Sequence, residues 1–335
     1  MFISVVMAVY NGETYVMEAV QHLLAQNYKN FEVVIVNDGS TDRTKQLLDS
    51  IQDSRVRILH CRSNQGAAAC LNQGIAAARG DWIAIHDSDD LSAPTRLADQ
   101  AKYMLNHPGA IGVSSLVQCI PGLRGVTSSR QLKAEERYYN KRHGKAQIYE
   151  YRLFSCYLCH GSVLFSKAAF QKVGGYNPIY RISYDYDLWL RLFELSPIRK
   201  LPKVLYYYRI ESDTLGKKDP SGTIRELMHS SYTHIEKSLR STLHRNPKLA
   251  LIGSKKGRDF FTEQAIKKLG ASVPSEFVSN TNRIALSRAL SLYDNKQLDA
   301  FIVLNDGHAD EILDMLMTRG LEWNSTLFKI WNYKF

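Results

Sequence analysis

The sequence predicts an α/β fold: a doubly wound, mostly parallel sheet followed by a C-terminal helical extension. Three features point there. The first 90 residues alternate apolar β-type runs with helix-periodic stretches, and strict β–α alternation builds a parallel sheet with right-handed crossovers. The run Trp82-Ile83-Ala84-Ile85 stops abruptly at His86-Asp87-Ser88-Asp89-Asp90. A buried strand reads this way when it delivers polar groups to the carboxyl edge of a sheet, where ligands bind. Beyond Ser221 the periodicity turns almost wholly helical.

The elements follow in order. Residues 3–9 are a β-branched apolar strand, closed by the turn Tyr10-Asn11-Gly12. Val16, Ala19, Val20, Leu23 and Leu24 recur at helical spacing. Residues 31–36 form a second strand, ended by Asn37-Asp38-Gly39-Ser40, and Ser40 or Thr41 can cap a helix to about residue 51. Residues 56–59 are a third strand and 66–78 a small-residue helix able to pack closely on the sheet. Asp38 and Asp87 both follow strands, so they can converge on one sheet edge. Pro94 opens a helix with Leu97, Ala101, Met104 and Leu105 on one face, and residues 110–118 are a strand. Residues 121–150, Gly-rich and then charged, read as a mobile loop or exposed helix. A strand at 162–165, helices at 167–173 and 185–195, and an aromatic strand at 204–209 complete a domain spanning residues 1–215. The extension, residues 222–335, is expected to hold helices at 223–243, 247–269, 281–291, 295–305 and 308–319.

Composition narrows the function. The 335 residues are 44% hydrophobic and 23% charged, as in a globular protein, and the net charge of +10 favours anionic partners. The basic residues are scattered and lack an aromatic-interleaved motif, which argues against nucleic acid. There is no run of 18 apolar residues and no charged leader before Ile3, so a cytoplasmic protein is expected. The five cysteines are expected to be reduced. Cys156-Tyr157-Leu158-Cys159-His160 has the spacing of a haem attachment site, but without an export signal or a second cysteine pair neither haem nor zinc is expected there.

Asp87 and Asp89, at i and i+2, offer clustered oxygen ligands for a hard divalent cation, Mn²⁺ or Mg²⁺. Such an ion takes one or two carboxylates and fills its remaining positions with phosphate oxygens and water, so it would hold a diphosphate. The competing reading is an acidic turn in which Asp90 caps the next helix.

The motifs, taken in order, resemble the inverting family-two glycosyltransferases of the GT-A fold, of the type that builds bacterial polysaccharides and cell-surface glycans. The resemblance runs over about residues 3–215. It is carried by Val9-Tyr10-Asn11-Gly12-Glu13-Thr14-Tyr15, Asn37-Asp38-Gly39-Ser40-Thr41-Asp42, Asn64-Gln65-Gly66, Leu71-Asn72-Gln73-Gly74-Ile75-Ala76 and Ala78-Arg79-Gly80-Asp81. It continues through Asp87-Ser88-Asp89-Asp90, Pro94-Thr95-Arg96-Leu97 with Gln100, Gly174-Gly175-Tyr176, Tyr184-Asp185-Tyr186-Asp187-Leu188-Trp189-Leu190-Arg191 and Tyr207-Tyr208-Arg209.

The resemblance implies a metal-dependent hexosyl- or hexosaminyltransferase. It would move a sugar from a nucleotide-diphosphate donor, a UDP-sugar, to a glycan or lipid-linked acceptor. It implies that Ala8 and Tyr10 line the base pocket, Glu13 its rim, and that Asp38 accepts from the base's ring N–H. Asp87 would contact the ribose beside Ser88, Asp89 would hold the cation, His160 would lie near donor or acceptor, and Asp185 would be the general base. Asp187, two residues on, is expected to make structural bonds. Departures are Asn37 and Tyr184, where the family has Asp and Glu, and Glu211, where many members carry His; Glu211 is a candidate cation ligand in its place.

Two other functions fit in part: a nucleotide-sugar-binding protein that has lost catalysis, and a nucleotidyltransferase, which would want a basic Gly-rich loop near Tyr10. The extension closes with Trp323, Phe328, Trp331, Tyr333 and Phe335 among lysines, and Lys255, Lys256, Arg258, Lys267 and Lys268 cluster upstream. That composition suits either a peripheral contact with the inner membrane face or a homo-oligomer built on the C-terminal helices.

Overall fold

The computed structural model describes residues 1–123, 128–141, 144–211 and 215–332. It divides into two compact units, residues 1–149 with 156–218, and residues 150–155 with 219–335.

The first unit is built on eight strands: β1 (Ile3–Val9), β2 (Phe31–Asn37), β3 (Val56–His60), β4 (Trp82–Ile85), β5 (Leu91–Ser92), β6 (Gly112–Pro121), β7 (Leu164–Ser166) and β8 (Arg199–Ile210). They lie in the order β3-β2-β1-β4-β7-β6-β8-β5. Neighbours among β3, β2, β1 and β4 are parallel, as are β6 and β8, while β7 and β5 run antiparallel to their partners. This is the mostly parallel, doubly wound sheet that the β–α alternation predicts. Alternate residues of β1 feed opposite faces. Ile3, Val5, Met7 and Val9 pack against Val16, Ala19, Val20 and Leu23 of α1 (Val16–Leu24). Val6 packs with Leu71 and Ile75 from the helix Ala67–Ala77 and with Trp189. That helix can approach closely because Gly74 has no Cβ; one placed there would lie 2.7 Å from Val6 Cγ1.

Residues 121–150, expected as loop or exposed helix, hold two helices, Ser129–Asn140 and Lys145–Glu150. The first opens on a capping box between Ser128 and Gln131, which satisfies orphan amides at its start.

The second unit contains the helices Pro220–Leu243, Arg283–Asp294 and Ala309–Thr318. It also holds a sheet the sequence reading did not anticipate: β9 (Leu249–Gly253), β10 (Glu276–Ser279), β11 (Ala300–Leu304) and β12 (Leu327–Ile330), all parallel, in the order β10-β9-β11-β12. The helices expected across 247–269 and 295–305 are therefore corrected to begin or end in strands. Every residue of β9 and β11 is buried. A short run apolar on both faces has no periodicity to separate a central parallel strand from a buried helix.

Of the tail aromatics among the described residues, Phe328 is buried and Trp323 and Trp331 are half-buried. Phe328 is 5% exposed in β12, and Lys329 pairs with Asp310 at 2.7 Å. Lys255 and Lys267 pair with Asp259 and Glu263 one helical turn away. Tyr333 and Phe335 lie outside the described residues. Among those described, no helix is long and apolar enough to cross a membrane.

Candidate functional site

Strand register gathers the candidate residues. Val9 pairs with Asn37 and Val6 with Ile85, so β1, β2 and β4 finish at one edge. The chain continues in register one residue further: Asp38 N–H donates to Val9 O at 2.8 Å and His86 N–H to Val6 O at 3.1 Å. Asp38 and the turn Asp87–Asp90 consequently leave the same sheet edge.

At one corner, the turn after β1 is fastened to the loop after β2. Asn11 N–H donates to Ser40 Oγ (3.0 Å), Gly12 N–H to Thr44 Oγ1 (2.8 Å) and Glu13 N–H to Asp42 Oδ2 (3.1 Å). Glu13 returns the contact, its Oε2 accepting from Arg43 N–H and Nε–H. Asp38 is buried, and its two oxygens accept from Gln65 N–H (2.7 Å) and Gly66 N–H (2.9 Å). Tyr10, next in the chain after the Val9 whose carbonyl accepts from Asp38 N–H, stands 49% exposed. Asn37 is used locally: Oδ1 accepts from Ser40 N–H, and Nδ2 lies 3.1 Å from His60 Nδ1.

The second corner is a cavity of about 280 Å³. Ala8, Asp87, Ser88, Asp89, His160 and Asp185 line it, with Tyr139, Cys159, Ile182, Tyr184, Tyr208 and Arg209. Tyr10, Glu13, Asp38 and Glu211 are not among its walls. His160 Nδ1 donates to Asp87 Oδ1 at 3.1 Å, and its Nε2 lies 2.9 Å from Tyr176 Oη. The next residue, Gly161, is required here: a Cβ would lie 1.8 Å from Tyr206 Oη and 2.8 Å from Asp87 Oδ2.

A cationic frame holds the acidic turn from behind. Arg96 is fully buried, donates to Ile85 O (2.8 Å) and Ser92 Oγ (3.0 Å), and lies over the Tyr206 ring. Arg209 donates from its backbone to Asp90 Oδ1 and from Nε to Asp89 O, both at 2.6 Å. Its guanidinium lies over the Tyr15 ring and reaches Glu18 at 2.9 Å.

The ionisation states are set by this arrangement. Burial pushes Asp89 up to about 6, with repulsion from Asp87 adding to it. Burial also pushes Asp87 up, but His160, with His86 and Arg96 adding to it, holds the carboxyl below its ordinary value. Burial opposes charge on His160, yet the Asp87 carboxylate prevails and raises it. Asp185 is raised by burial, against the pull of His160. Asp89 and Asp87 together offer only oxygen donors and carry excess negative charge in a half-buried site, a donor set that fits Mn²⁺ or Mg²⁺.

Asp185 and Asp187 part company on the helix Tyr184–Phe193. Asp185 Oδ1 accepts from Tyr186 N–H at 2.8 Å and its carboxyl faces the cavity. Asp187 is ion-paired with Arg191, whose Nη1 donates to Val173 O. Glu211 is buried, and its Oε1 accepts from Tyr15 Oη and, at 3.2 Å, from Leu123 N–H. It still raises Asp89 electrostatically.

The sequence reading named neither Arg209 nor the tyrosines as site residues. For Tyr208 the signal was strand parity, two residues on from the buried Tyr206; Arg209 has the opposite parity, and only the motif Tyr207-Tyr208-Arg209 pointed to it. Tyr139 had none, because its helix looks solvent-exposed in sequence.

Comparison with known proteins adds five findings. The glycosyl transferase family 2 model matches residues 4–174. The glycosyltransferase EpsE of Bacillus subtilis is 32% identical over 226 residues, covering 64% of this chain and 76% of that protein. GlyG of Streptococcus pneumoniae is 47% identical over 91 residues, 27% of this chain and 30% of that protein. Among solved structures, S. aureus TarS in complex with UDP-GlcNAc superposes with a TM-score of 0.56 at 21% identity, covering 70% of this chain and 66% of that one. The mannosyltransferase PcManGT from Pyrobaculum calidifontis, in complex with GDP-Man and Mn²⁺, gives 0.52 at 18% identity over 96% and 80%. The chain thus spans just under two thirds of the TarS structure.

Proposed function

Because the chain belongs to glycosyl transferase family 2, we propose that it transfers a sugar from a UDP-sugar, with inversion, to a glycan or lipid-linked acceptor. The observation that carries this reading is the shared cavity: Asp87, Asp89 and Asp185 all line it. Displacement at an anomeric carbon needs a base on the acceptor side and charge stabilisation on the leaving-group side. Asp185 would take the acceptor hydroxyl's proton as its oxygen attacks. Burial raises its carboxyl, which makes it a stronger base than an exposed aspartate. A cation held by Asp89, with Asp87 and Glu211 nearby, would stabilise the departing diphosphate's charge.

The donor reading rests on Asp38 and Tyr10. Asp38 carries two hydrogen bonds already, and a carboxylate has lone pairs to accept another from an imide N–H. The exposed Tyr10 ring can stack on a base, worth about 1–3 kcal/mol. The fold's solved relatives carry nucleotide sugars of two kinds, UDP-GlcNAc and GDP-Man; a carboxylate at Asp38 can accept from the ring N–H of uracil or of guanine and selects against cytosine, which has none, so the panel below includes both nucleotides.

A panel of nucleotide sugars, screened for thermal stabilisation with and without Mn²⁺ and then for transfer, tests the proposal. Metal-dependent stabilisation by UDP-sugars, followed by turnover, is expected. Stabilisation without any turnover would make the chain a nucleotide-sugar-binding protein instead.

A further inference from the structure

Away from the cavity, Asp38, Cys61 and Cys70 bring one ligand atom each to within 4.8 Å of one another. The two sulfurs are 3.9 Å apart. Two thiolates on a tetrahedral zinc, with bonds of about 2.3 Å, stand about 3.8 Å apart, so the pair already has the spacing. Both are held by scaffold elements. Cys61 follows β3, its N–H donating to Asn37 O at 2.8 Å, and Cys70 lies near the start of the helix Ala67–Ala77. Cys70 and Asp38 are buried, while Cys61 is half-buried. A fourth position can therefore be filled by water from the Cys61 side.

We propose that Cys61, Cys70 and Asp38 bind a soft divalent transition metal, zinc in type, at a site separate from the oxygen-only cluster of Asp87 and Asp89. Thiolates select such metals, whereas carboxylates alone suit Mg²⁺ or Mn²⁺. Binding forms two metal–sulfur bonds and one metal–oxygen bond and releases the two thiol protons to solvent. Burial, reinforced by the Asp38 carboxylate, keeps the Cys70 thiol protonated without a metal, so affinity rises with pH. Cys61 now donates to Gln73 Oε1 at 3.2 Å. Once Cys61 is a thiolate, an amide flip lets Gln73 donate instead. The metal would also take up the Asp38 carboxylate. Given the base-reading role proposed above for Asp38, on which this step rests, metal and base compete for the lone pairs that Gln65 and Gly66 N–H leave open on its carboxylate.

Cobalt(II) titration of the reduced full chain tests the site. The expected spectrum has a thiolate-to-cobalt charge-transfer band with tetrahedral ligand-field bands. It saturates at one equivalent, with two protons released, and zinc displaces the cobalt. Cys61→Ser, at a half-buried position that tolerates the change, should lose the charge-transfer band, while Cys156→Ser keeps it. A band that survives Cys61→Ser, or a wild-type spectrum without charge transfer, overturns the metal site. UDP binding is measured in parallel. One equivalent of zinc should weaken it at least tenfold in wild type and leave Cys61→Ser unaffected. A normal cobalt spectrum with UDP affinity unmoved by zinc would uphold the metal site and refute the base-reading role of Asp38.

Discussion

His160 Nδ1 stands 3.1 Å from Asp87 Oδ1, and each residue moves the other's ionisation in the direction that keeps the pair charged. The bond ties the first residue of the short 3-10 helix His160–Ser162 to the first carboxylate of the acidic turn, which is otherwise held from behind by Arg96 and Arg209.

The pair should show in stability against pH. His160 is raised in the folded state, so its contribution is full below the unfolded value near 6.5 and is lost as pH rises through the higher folded value. Asp87 is lowered, so its contribution is present above the unfolded value near 3.9 and is lost as pH falls through the lower folded value. The Tm difference between wild type and His160→Gln should be widest between about pH 4 and 6.5 and narrow on the alkaline side. A difference that stays constant from pH 5 to 9 would remove the ion pair from the account.

Asp89 should trade stability for function. Its carboxyl is pushed up to about 6, so at neutral pH the protein carries an unfavourable charge there. Asp89→Asn should raise the metal-free Tm by a few degrees while abolishing Mn²⁺-dependent donor binding. In wild type the same binding should fall as pH drops through about 6, because protons compete with the cation. Unchanged Mn²⁺ dependence in the variant would show that the cation sits elsewhere.

Asp185 and Asp187 make an internal control. Asp185→Asn should keep the fold and donor affinity and lower kcat by about 10²–10⁴. Asp187→Ala takes the ion partner from a partly buried Arg191, which keeps only its bond to Val173 O, and losing hydrogen bonds to a charged group costs about 1.5–3 kcal/mol. It should appear as lost thermal stability rather than as a selective loss of kcat. The reverse pattern, measured by melting and steady-state kinetics, would exchange the two roles.

What the sequence revealed and hid follows from where the signal lives. The strand ends at Asp38 and Asp87 were legible because β-branched apolar runs stop there in polar turns, and alternation with helices places those ends on one edge. The cavity's far wall was less legible. Tyr139 sits on a helix rich in charged residues that reads as exposed, and Arg209, though part of the motif Tyr207-Tyr208-Arg209, acts through backbone carbonyls whose positions no motif records. The sheet of the second unit was missed for a different reason: Ala300–Leu304 is buried on both faces, and only its pairing with β9 and β12, a long-range fact, identifies it as a strand.

Glu211 is the position where charge and geometry can be separated. Its Oε1 is engaged by the Tyr15 hydroxyl and Leu123 N–H, and Gly122 lies against it so closely that a Cβ there would sit 2.2 Å from its carboxyl carbon. Glu211→Gln keeps an oxygen for those donors and removes the negative charge. If the carboxylate helps to hold the cation beside Asp89, the concentration of Mn²⁺ needed for half-maximal activity should rise about 10–100-fold, with the Tm little changed. Tyr15→Phe removes a donor and leaves the charge in place, so it should lower stability by about 1 kcal/mol with little effect on Mn²⁺. Equal Mn²⁺ requirements in Glu211→Gln and wild type would reduce Glu211 to a structural acceptor for Tyr15 and Leu123.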